Sequence, residues 1–111
     1  LAKKIKSKCI SQKNIIISCN PIITNLAILT KSRFFIGNDS GPLNLSGAMG
    51  IRSFGLFGAS PPLKNVSNIH ALVPPTGAVD PHKFGFNPIS LEEGMDLIKP
   101  KYVYNKVKRF I

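Results

Sequence analysis

Five consecutive residues, Asn38-Asp39-Ser40-Gly41-Pro42, place a carboxylate, a hydroxyl and a glycine directly after a short apolar run. Pro42 suits the first turn of a helix, where its missing N–H needs no partner. The free N–H groups of such a helix, together with its dipole, attract an anion. Gly41 lets a ligand approach the backbone closely, and Ser40 adds a hydroxyl donor. The segment therefore predicts a site for a ligand that carries phosphate.

Asp39 has a different part in this chemistry, because a carboxylate repels a phosphate beside it. Its side chain is better suited to accept hydrogen bonds from the hydroxyl groups of a sugar. Alternatively, it could cap the following helix by accepting from that helix's own N–H groups. The residues alone leave both roles open.

The elements around this segment are predicted to alternate between strands and helices. Strands are expected over residues 14–18, 33–37 and 53–58, with a further one over 71–73. Helices are expected over residues 22–32, 42–49 and 100–111, with a helix end over 1–9 and Gly50 as a helix cap. Such alternation implies βαβ units and a parallel sheet, in which ligands lie outside the carboxyl ends of the strands. Residues 38–42 follow one of those ends.

A long irregular loop is predicted over residues 74–96, where Pro and Gly interrupt any regular pattern. It belongs to a single domain, residues 1–111, and loops of this length are usually functional or mobile. Within it, Phe84 and Phe86 could stack on an adenine or pack against the body, and His82 is a weak candidate for an acid–base or ligand role. Glu92-Glu93 is expected to be either a solvated loop or the start of a helix. Outside it, His70 is expected at the surface or a sheet edge, and Ser60 is expected either to border the ligand site or to belong to a simple turn.

The net charge of +10 is concentrated at the two ends of the chain. Residues 1–13 and 99–109 contain basic side chains and no acid, whereas the residues between them contain equal numbers of basic and acidic side chains. Such ends could attract an anionic membrane surface, and the alternative is a compositional bias with solvated ends. No nucleic-acid partner is expected, because few aromatic residues are interleaved with the basic ones.

The sequence contains no apolar run of the roughly 18 residues that a membrane-spanning helix needs. Residues 1–13 also lack the apolar stretch of a signal peptide. A cytoplasmic protein is expected, at most peripheral at the inner face of the plasma membrane. Cys9 and Cys19 lack metal-ligand spacing and are expected to be reduced thiols, at least one of them buried.

A longer pattern over residues 35–58 resembles glycosyltransferase family 9, the heptosyltransferase family of lipopolysaccharide core assembly. The family signature is Asp-Ser/Thr-Gly, a Pro or Leu, one residue, a His, an Ala-rich helix and a strand that ends in Phe-Gly. The corresponding residues here are Asp39-Ser40-Gly41-Pro42-Leu43-Asn44, Gly47-Ala48-Met49-Gly50 and Phe54-Gly55-Leu56-Phe57-Gly58. Weaker similarity extends the resemblance to residues 14–73 and 97–111.

The resemblance implies an α/β fold: a Rossmann-like parallel sheet with helices on both faces, as the C-terminal half of a GT-B architecture. The implied reaction is inverting transfer of heptose or a related sugar from a nucleotide diphosphate, ADP-heptose in characterised members, to a lipopolysaccharide core acceptor. The implied partners are thus a nucleotide sugar and that acceptor, with no metal or other cofactor. By the same resemblance, the donor-binding residues are Asp39, Ser40, Gly41, Pro42, Leu43 and Asn44.

Two departures from the family pattern affect these expectations. The family's His falls on Asn44, which forms hydrogen bonds but carries no charge. The N-terminal domain, which in this family binds the acceptor and is thought to supply the base, is absent, so the chain is expected to be a fragment without catalytic residues, inactive by itself. Alternatives are a non-catalytic module that binds a nucleotide or an anionic surface, and a GT-B nucleotide-sugar epimerase.

Overall fold

The computed structural model of the chain describes residues 1–62, 66–75 and 91–111. A parallel sheet lies at its centre, with the strand order β1-β2-β3. The strands are β1 (Phe35–Asn38), β2 (Ser53–Leu56) and β3 (Ile69–Leu72). The α/β class, the parallel sheet and the strands predicted over 33–37, 53–58 and 71–73 are confirmed, with bounds that differ by a few residues.

Helices precede, separate and follow these strands. They are α1 (Ala2–Ser7), α2 (Ile22–Leu29), α3 (Gly41–Ala48), α4 (Leu91–Leu97) and α5 (Pro100–Val107), with short 3₁₀ segments at Gln12–Asn14 and Lys108–Phe110. The predicted helices over 22–32, 42–49 and 100–111 are confirmed with shorter α-helical bounds. The helix end expected over 1–9 is present as α1.

Helices cover both faces of the sheet, as expected, because successive side chains of a strand point to opposite faces. On one face, Ser53 of β2 meets Ser46 of α3, with their hydroxyl oxygens 2.7 Å apart. On the other face, Phe54 forms a core cluster with Leu72 of β3 and Val107 of α5. The middle strand β2 is therefore buried between α3 and α5.

The end of α3 follows from local sequence. Gly50 has a positive φ of 76°, which favours glycine. Its N–H donates to the carbonyl oxygen of Gly47, and the next N–H, of Ile51, donates to that of Ser46. This is the Schellman arrangement, in which two orphan carbonyls of a helix end find donors. The prediction that Gly50 caps this helix is confirmed.

The strand predicted over residues 14–18 is wrong. These residues leave the 3₁₀ segment and continue without regular structure, and Ile16 is 89% exposed. Instead of joining the sheet, the segment is tied to α2: the amide of Asn25 donates to the carbonyl oxygen of Asn20, and the hydroxyl of Ser18 donates to the amide oxygen of Asn25. A β-branched run becomes a strand only where a neighbouring strand supplies backbone hydrogen bonds, and no described strand does so here.

The predicted loop over 74–96 is wrong at its end, because residues 91–97 form α4. Glu92 and Glu93 lie exposed in its first turn, where the helix dipole stabilises negatively charged side chains. His82, Phe84 and Phe86 lie outside the described residues.

Two further expectations concern exposure. Cys9 is half-buried and Cys19 exposed, so the expectation of a buried thiol is wrong, although both are free. His70 is exposed on β3, as predicted. No helix in the described parts of the chain has the length and apolar character needed to cross a membrane.

Candidate functional site

The predicted ligand segment lies where β1 ends and α3 begins. Ser40 is the N-cap residue of α3 and has an extended backbone, with φ at −163° and ψ at 164°. Its carbonyl oxygen accepts the N–H of Asn44 at 3.2 Å, which starts the helix. Its hydroxyl donates to the carbonyl oxygen of Asn38 at 3.0 Å. The Ser40 hydroxyl therefore stabilises the turn, and no side chain caps the helix.

Asp39 is held in place from the neighbouring strand. Its N–H donates to the carbonyl oxygen of Leu56 at 3.3 Å, because Asn38 and Leu56 are partners in the sheet register. Beyond the end of β2, the hydroxyl of Ser60 donates to the Oδ2 atom of Asp39 at 3.0 Å. The carboxylate thus points across the sheet edge toward Ser60 and does not cap α3. Of the two alternatives for Ser60, this hydrogen bond favours the one in which it lies beside the predicted ligand segment.

A cavity of about 360 Å³ opens beside this carboxylate. It is lined by Asn38, Asp39, Leu56, Ser60 and Met95. Its volume falls within the range of about 300–1,000 Å³ that is usual for small-molecule sites. Among the described residues, Asp39 is the only charged side chain that lines it. A carboxylate, a hydroxyl and a side-chain amide form hydrogen bonds with ligand hydroxyl groups, so the cavity suits a sugar better than a phosphate.

Helix α4 supplies one wall of this cavity. The sequence left residues 92–93 open as a solvated loop or a helix start and did not predict this wall. Gly94 lies so close to the turn after β2 that an added Cβ would overlap the carbonyl oxygen of Gly58. This approach brings the neighbouring residue, Met95, into the cavity wall. The available signal was the acid pair Glu92-Glu93, which is typical of a first helical turn. The contact between Gly94 and Gly58 depends on tertiary packing, so it leaves no pattern in the local sequence.

The remaining predicted donor residues differ in their access to a ligand. Gly41 is exposed, its N–H has no partner among the described residues, and nothing lies within 4 Å of a Cβ built on it. Pro42 and Asn44 are also exposed on the first turn of α3. Leu43, in contrast, is 0% exposed and packs against Gly55. Its position is that of a core residue, and its predicted contact with the donor finds no support.

Electrostatic support for an anion at this site has to come from the backbone. No lysine, arginine or histidine lines the cavity in the described part of the chain, and Asn44 is neutral. The open N–H of Gly41 and the dipole of α3 provide partial positive charge next to Asp39. In residues 1–62, 66–75 and 91–111, no group of three His, Cys, Asp or Glu side chains is placed to hold a metal ion.

Comparison with protein families gives one match, to the family described as glycosyltransferase family 9 (heptosyltransferase), over residues 5–70. The matched region covers more than half of the chain and runs from α1 into β3. It contains both Asp39 and Ser60, the hydrogen-bonded pair at the sheet edge. Searches among curated proteins and among solved structures found no significant match.

Proposed function

The chain belongs to glycosyltransferase family 9, and from that premise we propose that the cavity beside Asp39 binds the nucleotide-sugar donor of a glycosyl transfer. The proposed donor is ADP-heptose or a related nucleotide diphosphate sugar. The proposed acceptor is the lipopolysaccharide core, with inversion at the transferred carbon. The family match favours a transferase over the epimerase alternative.

One observation carries this proposal. The carboxylate of Asp39, held by the Ser60 hydroxyl at 3.0 Å, lies in a cavity of 360 Å³ at the end of β1. The Oδ1 atom has no partner among the described residues and remains available to accept from a ligand hydroxyl. Hydroxyl recognition at this carboxylate and anion recognition at the start of α3 are the two functions that a nucleotide sugar requires.

The proposed chemistry divides the donor between these two parts of the site. Sugar hydroxyl groups donate to Asp39, which orients the ring. The diphosphate lies at the start of α3, where the Gly41 N–H and the helix dipole stabilise the negative charge that develops as the sugar leaves. Asn44 adds a neutral donor one turn further along. We propose that no metal is needed, since the helix end provides the positive potential.

Transfer also needs a base that activates the acceptor hydroxyl. Asp39 is the only described carboxylate in the cavity. In this proposal it binds the sugar of the donor, so it is not available as the base. The acceptor site and the base are therefore proposed to lie outside these residues, in a second Rossmann-like domain. Peripheral contact of the basic ends with an anionic membrane would bring that assembly near its lipid-linked acceptor.

The donor proposal is tested by titrating ADP-heptose into the 111-residue chain and following amide shifts by NMR. The largest shifts are expected at Ser40 and Gly41. Asp39→Asn should weaken binding about tenfold or more, because charge-assisted hydrogen bonds to the sugar are replaced by weaker neutral ones. Asp96→Asn is the matched control, since Asp96 is exposed on α4 and does not line the cavity. Equal losses in both variants, or no binding, would contradict the donor site.

A second measurement separates the transferase from the binding module. ADP release from ADP-heptose is followed with a lipid A–type acceptor, with and without a separately supplied acceptor domain of the family. We expect no turnover by the chain alone and turnover when that domain is added. Binding without turnover in either case would favour the non-catalytic module, and turnover by the chain alone would contradict the assignment of the base to another domain.

A further inference from the structure

A second cavity, of about 200 Å³, lies between the sheet and α5 and shares no lining residue with the Asp39 cavity. Phe54 and His70 form one side, with ring centroids 5.3 Å apart in a stacked arrangement. They are the second residues of β2 and β3, whereas Asp39 follows the last residue of β1. Tyr102 and Phe110 line it from the C-terminal helical segment. This cavity is therefore distinct from the proposed donor site.

The basic groups of this region converge on its aromatic rings. Lys106 Nζ lies 5.6 Å from the centre of the Tyr102 ring. The Cζ atoms of Arg109 and Arg52 lie 4.7 Å and 4.5 Å from the centre of the Phe110 ring. Lys106 and Arg109 both line the cavity. We call it the basic–aromatic pocket, defined by Phe54, His70, Tyr102, Lys106, Arg109 and Phe110.

No carboxylate offsets this positive charge in the part of the chain that the structure describes. None of the described acids lines the pocket, and none forms an ion pair with Arg52, Lys106 or Arg109. Lys106 and Arg109 line the pocket itself, and Arg52 lies beside it over the Phe110 ring. The aromatic faces offset these positive charges only partly, so the pocket favours a negatively charged ligand.

Size and donor type narrow the class of anion. A volume of 200 Å³ lies below the usual range of about 300–1,000 Å³ for drug-sized ligands, which favours a small ionic group over a whole nucleotide sugar. Arginine offers several N–H donors to a phosphate and lysine adds a mobile point charge. We propose that the basic–aromatic pocket binds a phosphate group, supplied either as a free phosphate ion or as the monoester headgroup of a lipid.

The pocket is tested by titrating inorganic phosphate into the labelled chain, with chloride at the same ionic strength as reference. The largest phosphate-specific shifts are expected at the Lys106 and Arg109 amides and the His70 ring. The double variant Lys106→Gln/Arg109→Gln should weaken binding at least about tenfold, because two charge-assisted contacts are lost.

The matched control is Lys101→Gln/Lys108→Gln, which removes the same charge from the same helical segment outside the pocket. All four side chains are exposed, so both double variants should fold. The map of phosphate-induced shifts is measured on the wild-type chain and therefore tests the pocket even if a variant does not fold. The control should bind phosphate within about twofold of the wild-type chain. Equal weakening in both double variants, or wild-type shifts no larger than those in chloride, would overturn the proposal.

The two sources are distinguished by co-sedimentation with phosphatidylcholine vesicles that contain phosphatidic acid, compared with vesicles that contain an equal charge of phosphatidylglycerol. Preference for phosphatidic acid that the Lys106→Gln/Arg109→Gln variant loses and the control keeps would identify a lipid monoester. Phosphate binding without that preference would identify the free ion. If the chain shows neither phosphate binding nor a preference for phosphatidic acid, the proposal that the pocket binds phosphate is overturned.

Discussion

Helices α2 and α3 have the same length of eight residues and each begins beside a proline, yet they pack differently. The sequence of α2, Ile-Ile-Thr-Asn-Leu-Ala-Ile-Leu, is the more apolar of the two. It contains no buried residue, and Ile22 and Ile23 are 66% and 72% exposed. Helix α3 contains glycines, a serine and an asparagine, and its residues Leu43, Ser46 and Gly47 are buried. Apolar content therefore does not decide which helix joins the core.

Small residues allow α3 to approach the sheet. A Cβ built on Gly47 would lie 2.7 Å from the Cγ1 atom of Ile69, and one built on Gly55 would lie 2.6 Å from the Cδ2 atom of Leu43. The hydroxyl of Ser46 donates to the carbonyl oxygen of Leu43 at 2.8 Å, so its polar atom is satisfied inside the core. The close contacts of Gly47 with Ile69 and of Leu43 with Gly55 hold α3 on the sheet and place its first turn beside Asp39.

The largest effect that tests this difference is expected from Leu43→Ala. Leu43 is fully buried against Gly55, so its truncation leaves a cavity under α3. The free energy of unfolding should fall by about 2–5 kcal/mol. Urea denaturation followed by circular dichroism measures it. Leu45→Ala on the same helix is the control, because Leu45 is 36% exposed and its loss should be clearly smaller. Equal losses would mean that the buried face of α3 is wrongly assigned.

A medium effect is expected from Gly47→Ala. In an ordinary helix this change stabilises by about 0.5–1 kcal/mol, but here the new methyl group meets Ile69 and Val66. Overpacking should instead lower the free energy of unfolding by about 1–3 kcal/mol.

The matched control for that change is Gly41→Ala. A Cβ built on Gly41 meets nothing within 4 Å, so stability should change by no more than about 0.5 kcal/mol. Thermal unfolding of both variants gives the comparison. Stabilisation by Gly47→Ala would show that α3 does not depend on close approach to β3.

The smallest effect is expected from Ile23→Lys on α2. The side chain is 72% exposed, and a lysine there should change the free energy of unfolding by no more than about 0.5 kcal/mol. The same denaturation experiment measures it. A loss comparable to that of Leu43→Ala would show that the apolar face of α2 is covered in solution and would remove the contrast between the two helices.

Predictions from the sequence succeeded where a few neighbouring residues decide the outcome. Pro42 near the start and Gly50 beyond the end of α3 set its bounds, because their backbone preferences act locally. Predictions failed where a distant partner decides. The three consecutive isoleucines at 15–17 are typical of a strand, but a strand also needs a neighbour. The position of α4 was not predicted because it depends on the contact between Gly94 and Gly58.

The candidate site divides in the same way. The order of Asp39, Ser40 and Gly41 before a helix is readable from the sequence, and so is the family to which the chain belongs. Only the tertiary structure decided that Ser60 donates to Asp39, that Met95 lines the cavity, and that Leu43 lies in the core. The physical reason is that helix caps and turns depend on adjacent backbone angles, whereas burial and side-chain contacts depend on which surfaces the folded chain brings together.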